Sequence, residues 1–182
     1  MLPPLPEDFF NRPVLEVAPD LLNKVLVVGE RSGRIIEVEA YGGEDDAGSH
    51  AWRGPTPRTQ VMYGPPGHWY IYLSYGVHWC ANVVVSPPGT AAAVLLRAVE
   101  PLAGIDAMRA ARGNIRDRDL ANGPGKLTQA LGLGHDLDGV AIAGSAAVIV
   151  DDGTSPPKRP IRTPRIGLSK DRAPDRMWRF IL

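Results

Sequence analysis

Between Glu39 and Asn82 the chain concentrates the side chains best suited to chemistry on a flat organic ring. Tyr41, Trp52, Tyr63, Trp69, Tyr70, Tyr72, Tyr75 and Trp79 comprise all five tyrosines and three of the four tryptophans. Aromatic faces stack on planar and cationic groups, although a domain of this size also needs aromatics in its core, and alternation along a strand buries about half of them. Packing alone does not explain Glu39-Ala40-Tyr41 running into a long acidic, glycine-rich stretch that carries His50, with Thr56-Pro57-Arg58 beyond it. Metal chemistry is poorly represented. His50, His68, His78 and His135 show no His-Glu-x-x-His spacing, and Cys80 is the single cysteine, which removes a zinc deaminase from consideration. We expect no metal and no cofactor. Asn122-Gly123-Pro124-Gly125-Lys126 resembles the end of a phosphate-binding loop, but Leu120 stands where its first glycine belongs. It reads as a helix N-terminus that either receives a DNA phosphate or closes a plain turn.

The elements that must hold these residues are mostly strands. Residues 18–23 suggest a short helix leading into an apolar strand at 24–29. A turn then precedes the β-branched run Arg34–Tyr41, so that Glu39 falls near a strand end. Residues 42–67 form an aperiodic loop far longer than usual, a length that marks functional or disordered segments. Runs at 69–75, 78–86 and 92–99 favour an antiparallel sheet, with Gly76-Val77 between the first two. Leu102, Ile105 and Met108 at helical spacing predict a helix over 100–112, and a second helix is expected at about 126–131. Residues 140–142, 147–150, 162–167 and 179–182 read as short strands. The expected fold is mixed α/β (α+β), a single domain over residues 1–182 with a curved, mainly antiparallel β-sheet flanked by short helices.

With 182 residues, 44% hydrophobic and 22% charged, the composition is that of a soluble globular protein rather than a disordered, fibrous or membrane one. The N-terminal residues lack both a basic and an apolar leader region, and no stretch is apolar enough to span a bilayer. With one cysteine, this leads us to expect a cytoplasmic protein with no membrane partner. The formal net charge of +0 argues against nonspecific coating of nucleic acid, but acids dominate the first hundred residues and bases the remainder. Arg109, Arg112, Arg116, Arg118 and Lys158, Arg159, Arg162, Arg165 could neutralise phosphates, or could equally form a solvated surface pairing with Asp117, Asp119 and Asp171.

Several motifs in one order resemble the alkyladenine (3-methyladenine) DNA glycosylase family of the non-helix-hairpin-helix type, the methylpurine DNA glycosylases. They are Glu37-Val38-Glu39-Ala40-Tyr41 with His50, Thr56-Pro57-Arg58, and Gly67-His68-Trp69-Tyr70-Ile71-Tyr72-Leu73-Ser74-Tyr75-Gly76. Cys80-Ala81-Asn82, residues 94–101, Gly123-Pro124-Gly125-Lys126-Leu127 and Arg165-Ile166-Gly167 continue the match, which spans about residues 8–182. The resemblance implies a fold similar to the formyltransferase C-terminal domain. It also implies a monomeric bacterial enzyme, nucleoid-associated through its substrate, that acts on double-stranded DNA containing damaged purines.

Carried over by position, Glu39 matches the carboxylate that activates the attacking water, and Arg97 a polar residue near the water and the sugar-phosphate. Tyr41 and His50 match groups that sandwich a flipped base. Tyr72 matches the ring on its other side, Asn82 a pocket-wall residue that excludes the 2-amino group of guanine, and Tyr75 the wedge that fills the vacated stack. Arg58 and Lys126 are candidate phosphate contacts. Without the resemblance, Tyr41 and Tyr72 would read as core residues. The chain departs from the animal pattern in a shorter segment between His50 and Thr56, in His78 at a position where tyrosine is common, and in a trimmed loop from Arg112 to Asn122, all of which bear on base range and affinity. Two other readings are a non-catalytic nucleic-acid-binding module, which would bind without releasing bases, and an enzyme acting on a small metabolite, which would ignore damaged duplexes.

Overall fold

In the computed structural model, which describes residues 2–113, 115–172 and 175–182, eight antiparallel strands form one sheet. After two short helices, α1 (Glu7–Phe10) and α2 (Val14–Asp20), the chain enters the sheet through β1 (Val25–Val28) and β2 (Arg31–Tyr41). Residues 42–68 carry two 3-10 turns, His50–Arg53 and Gln60–Tyr63. Then come the hairpin β3 (Trp69–Ser74) and β4 (His78–Val84), β5 (Ala93–Ala103), α3 (Ile105–Arg112) and α4 (Pro124–Leu131). The chain closes with β6 (Ala147–Val150), β7 (Ile161–Thr163) and β8 (Arg179–Ile181). The strand order is β3-β4-β5-β2-β1-β6, with β8 joining β2 and β7.

Strand β2 is the spine. One edge pairs with β5 along its length, while the other pairs first with β1 at Arg31–Arg34 and then with β8 at Glu37–Glu39. Its register against β5 shifts at Ser32/Gly33 and on both sides of Glu37. Such irregularities bend a strand and increase its twist, and here they lie just before Glu39.

Alternation along the strands separates two faces. Val38 and Ala40, Trp69 and Ile71, Ala81 and Val83, Val94 and Leu96 enter the main apolar core with Val17 and Leu21 of α2, Met108 of α3 and Leu127, Ala130 and Leu131 of α4. Their neighbours on the opposite face, Tyr41, Tyr70, Tyr72, Cys80, Asn82, Ala93, Leu95 and Arg97, line a cavity. A slip of one residue in β2 would exchange Glu39 for Ala40, so the hydrophobic pattern that fixes the register also fixes the chemistry.

Several boundaries differ from the sequence expectation. The helix predicted over 100–112 begins only at Ile105, because β5 continues through Ala103 in pairing with Ser32. Gly104, at φ +70°, makes the turn, and a Cβ there would lie 2.7 Å from the Glu30 carbonyl oxygen. Leu102, whose spacing extended the helical pattern, is an exposed strand residue. The helix expected at 18–23 lies earlier, as α2, and α1 was not anticipated in the proline-rich lead. Residues 140–142 make only a single bridge, Ala141 to His68, and the strand expected over 162–167 stops at Thr163, before Pro164. No helix is long and apolar enough to cross a membrane among the described residues.

Candidate active site

The cavity has a volume of about 620 Å³. Its floor is the polar face of β2–β5. Its walls come from the 42–67 loop on one side and from residues 166–172 on the other, and the β3–β4 hairpin and Pro124 stand at its rim. Tyr70, Asn82, Leu95 and Glu39 fall in one row across β3, β4, β5 and β2, because Tyr70 pairs with Asn82, Asn82 with Leu95, and Leu95 with Glu39.

Glu39 is fully buried beneath this floor. Its Oε1 accepts a hydrogen bond from the Ile166 backbone N–H at 2.8 Å and lies 3.3 Å from Arg97 Nη1, and its Oε2 accepts from the Tyr41 hydroxyl at 2.8 Å. Arg97 is shared, since its Nε also donates to Glu37 Oε1 at 2.6 Å, an oxygen that accepts from Arg179 Nε at the same distance. Burial pushes the Glu37 carboxyl up, but the hydrogen bonds from Arg179 and Arg97 outweigh it and hold Glu37 below the usual carboxylate range. Burial, then the Glu39 charge and hydrogen bond, drive the Tyr41 hydroxyl well above its ordinary value, so it stays a proton donor.

The aromatic wall is tightly coupled. The Ser49 hydroxyl caps the 3-10 turn that presents His50, accepting from the Ala51 N–H at 3.1 Å. His50 Nδ1 lies 2.9 Å from the Tyr70 hydroxyl, and its ring meets Tyr72 edge-on with centroids 4.6 Å apart. Burial, aided by the charges of Arg58 and Arg172, pushes His50 down to about 4, so the ring is neutral at physiological pH. Burial drives Tyr70 up to about 12 and Tyr72 above its usual range. Asn82 donates from Nδ2 to the Tyr70 carbonyl at 3.0 Å, which fixes its amide and turns Oδ1 away from that bond.

At the hairpin tip Tyr75 is 87% exposed with φ +50°, followed by the exposed Val77. The ring is thus held outside, at the rim of the cavity.

The family profile for methylpurine-DNA glycosylase matches residues 8–182. The chain belongs to that family. A protein of Burkholderia cenocepacia named 3-methyladenine DNA glycosylase is 51% identical over 180 residues, covering 97% of this chain and 86% of its own length. Similarly named proteins of Rhodopseudomonas palustris and Chlorobaculum tepidum are 49% and 48% identical, covering 94% of this chain in each case and 81% and 84% of themselves. The molecule is thus a DNA glycosylase, a hydrolase of N-glycosyl bonds with DNA as its substrate.

In this glycosylase the candidate site residues gather around one cavity, Lys126 excepted. Tyr41, His50, Arg58, Tyr72, Tyr75, Asn82 and Arg97 line it, and Glu39 lies directly behind Tyr41, Arg97 and Ile166. Lys126 stands apart on the first turn of α4, its Nζ donating to Asn122 Oδ1 at 2.8 Å. Arg165 requires a correction. It was grouped with surface cations that could meet phosphates, but its side chain is fully buried. It donates to both Asp46 carboxylate oxygens at 2.6 and 2.7 Å and to the Ala40 carbonyl at 2.9 Å, and its guanidinium lies 4.6 Å over the Tyr41 ring and 5.2 Å from that of Trp178. Of the other cations in those clusters, Arg109 pairs with Asp106 and Asp117, and Arg116 with Asp119.

The sequence reading missed Tyr70, the Asp46–Arg165 pair, the Ile166 N–H and Arg172, which lines the cavity. Tyr70 was visible through the alternation that places it beside Tyr72. Asp46 carried no signal within its acidic loop.

Proposed function

We propose that this glycosylase accepts an alkylated purine flipped from duplex DNA into the cavity and hydrolyses its N-glycosidic bond with a water activated by Glu39, leaving an abasic site. The observation that carries the reading is the placement of one buried, fully oriented carboxylate immediately beneath an aromatic-walled cavity. A carboxylate has about four lone-pair positions. Ile166 N–H and Arg97 engage Oε1 and the Tyr41 hydroxyl takes one position on Oε2, so Oε2 retains capacity for a water.

Arg97 and the Ile166 N–H orient Glu39 in a buried setting, where a fixed negative charge both removes a proton from water and opposes the positive charge that grows on the sugar. A cationic purine such as 3-methyladenine needs no protonation to leave. Neutral His50, Tyr41 and Tyr72 surround it without adding positive charge, and stacking favours the electron-poor ring. Hypoxanthine, being neutral, lacks that advantage, and among the described residues the cavity lining holds no Asp or Glu to protonate it, so its release is expected to be slower. Tyr75 fills the gap left in the duplex. Asn82, held by the Tyr70 carbonyl, restricts the pocket wall. The enzyme acts as a monomer and forms no covalent intermediate.

The reading is tested by incubating the purified protein with duplexes that each contain one defined lesion, followed by alkali cleavage at abasic sites. Cleavage at 3-methyladenine and slower cleavage at hypoxanthine are expected. Release of neither would reject the proposal.

A further inference from the structure

From sequence Arg58 is a candidate phosphate contact. In the structure its guanidinium lies over the Tyr72 ring, 5.0 Å from the centroid, and lines the cavity. The carboxylates of the site have other partners, Glu39 and Glu37 in Arg97 and Asp46 in Arg165. No ion pair holds Arg58 among the described residues. Its contacts are with the aromatic wall of the cavity, the Tyr72 ring above all, with the Tyr70 hydroxyl and His50 beside it.

A guanidinium is a flat, delocalised cation, as is an alkylated purine, and an aromatic platform that attracts one attracts the other. We infer that Arg58 is a self-ligand, occupying in the free enzyme the Tyr72 face on which the flipped base stacks, so that every base entering the pocket must first displace it. The inference rests on the assignment of Tyr72 to the base pocket.

The physical consequence is a population tax. When only a fraction of molecules has the platform open, the apparent dissociation constant rises by the inverse of that fraction. A cation over an aromatic ring is worth about 0.5 kcal/mol when exposed to about 2 when desolvated, which corresponds to roughly a 2- to 30-fold penalty on base entry. Arg58 is an exposed residue, which favours the lower part of that range. The penalty falls on all bases alike, normal purines included, and suppresses their adventitious entry.

The test is equilibrium binding to a duplex containing a single 7-methylguanine on a 2′-fluoro sugar, which resists hydrolysis, and to the same duplex undamaged, at several salt concentrations. Arg58→Ala is expected to bind the lesion duplex severalfold more tightly, to leave undamaged-duplex binding and the salt dependence unchanged, and to lose its effect when combined with Tyr72→Leu. Slow release of normal purines should rise by the same factor. Weaker binding to both duplexes with a salt slope reduced by about 1 would make Arg58 a phosphate contact and overturn the inference. Unchanged lesion binding would overturn it also. If Tyr72→Leu alone, folded by circular dichroism, leaves lesion binding intact, then Tyr72 is not the platform, and it is the pocket assignment that has failed.

Discussion

On β2, Val38 and Ala40 pack among helices, while Tyr41, alternating with them, lines the cavity and Glu39 lies buried behind it. On β3 the same holds for Trp69 and Ile71 against Tyr70 and Tyr72. The helix-facing side of the sheet is apolar and held by burial, and exchanging one hydrophobic side chain for another there alters packing and little else. The loop-facing side is held by directed polar contacts: the Asp46–Arg165 pair, the Arg97 bridge between Glu37 and Glu39, and the His50–Tyr70 hydrogen bond. One strand serves both because its side-chain period is 2. The core face sets the register, and the polar face inherits it.

One substitution on each face separates the two kinds of support. Trp69→Ala empties a fully buried site on the core face and should cost about 3–5 kcal/mol of stability, read by denaturant unfolding. Asp46→Ala leaves Arg165 buried without its partner and should cost a similar amount, about 3–5 kcal/mol. If the polar face were a mere coating on a self-sufficient core, the second substitution would cost far less than the first.

Tyr75→Ala should leave stability unchanged, because the ring is exposed, and should slow excision from duplex DNA on the order of 5- to 150-fold, as expected from losing about 1–3 kcal/mol of base–aromatic stacking. Excision from single strands should be unaffected. Equal losses on both substrates would make Tyr75 part of the pocket instead.

A smaller effect is expected from pH. His50 is lowered from 6.5 to about 4 in the folded protein, so the unfolded chain takes up a proton that the folded one refuses. Stability attributable to neutral His50 is therefore complete above about pH 6.5 and is lost as pH falls toward 4. His50→Gln should lose less stability than the wild type across that interval in parallel unfolding titrations. No effect is expected from strong chelation, since no cluster of metal-ligating residues occurs among the described residues. Loss of excision in EDTA, restored by added metal, would contradict the role given to Glu39.

How much was legible followed the same division. Alternating apolar and aromatic residues gave β2, β3, β4 and most of β5, because a half-buried strand imposes a period that sequence records directly. The β5–α3 junction was misread because Leu102, Ile105 and Met108 fit a helical period by coincidence, and the signal that settles the boundary is Gly104. In the site, Glu39, Tyr41, Tyr72 and Asn82 were reached through the family resemblance, and their convergence is a consequence of strand register. The loop contributions were opaque. Arg165 looked like any other cation in a basic tail, and only its distance in space from Asp46, 119 residues away in the chain, reveals a buried pair. Long-range polar contacts leave no periodic trace.

In the proposed mechanism Glu39 does chemistry while the rings around it do recognition. That division is tested most directly with Glu39→Gln, which preserves the size and much of the hydrogen bonding of the side chain but removes its charge and basicity. Single-turnover excision and equilibrium binding are measured on one 3-methyladenine-containing duplex, with folding confirmed by circular dichroism. The rate should fall about 10²–10⁴-fold with affinity nearly unchanged. Near-normal excision would remove Glu39 from catalysis, and a parallel loss of binding and rate would place it in recognition instead.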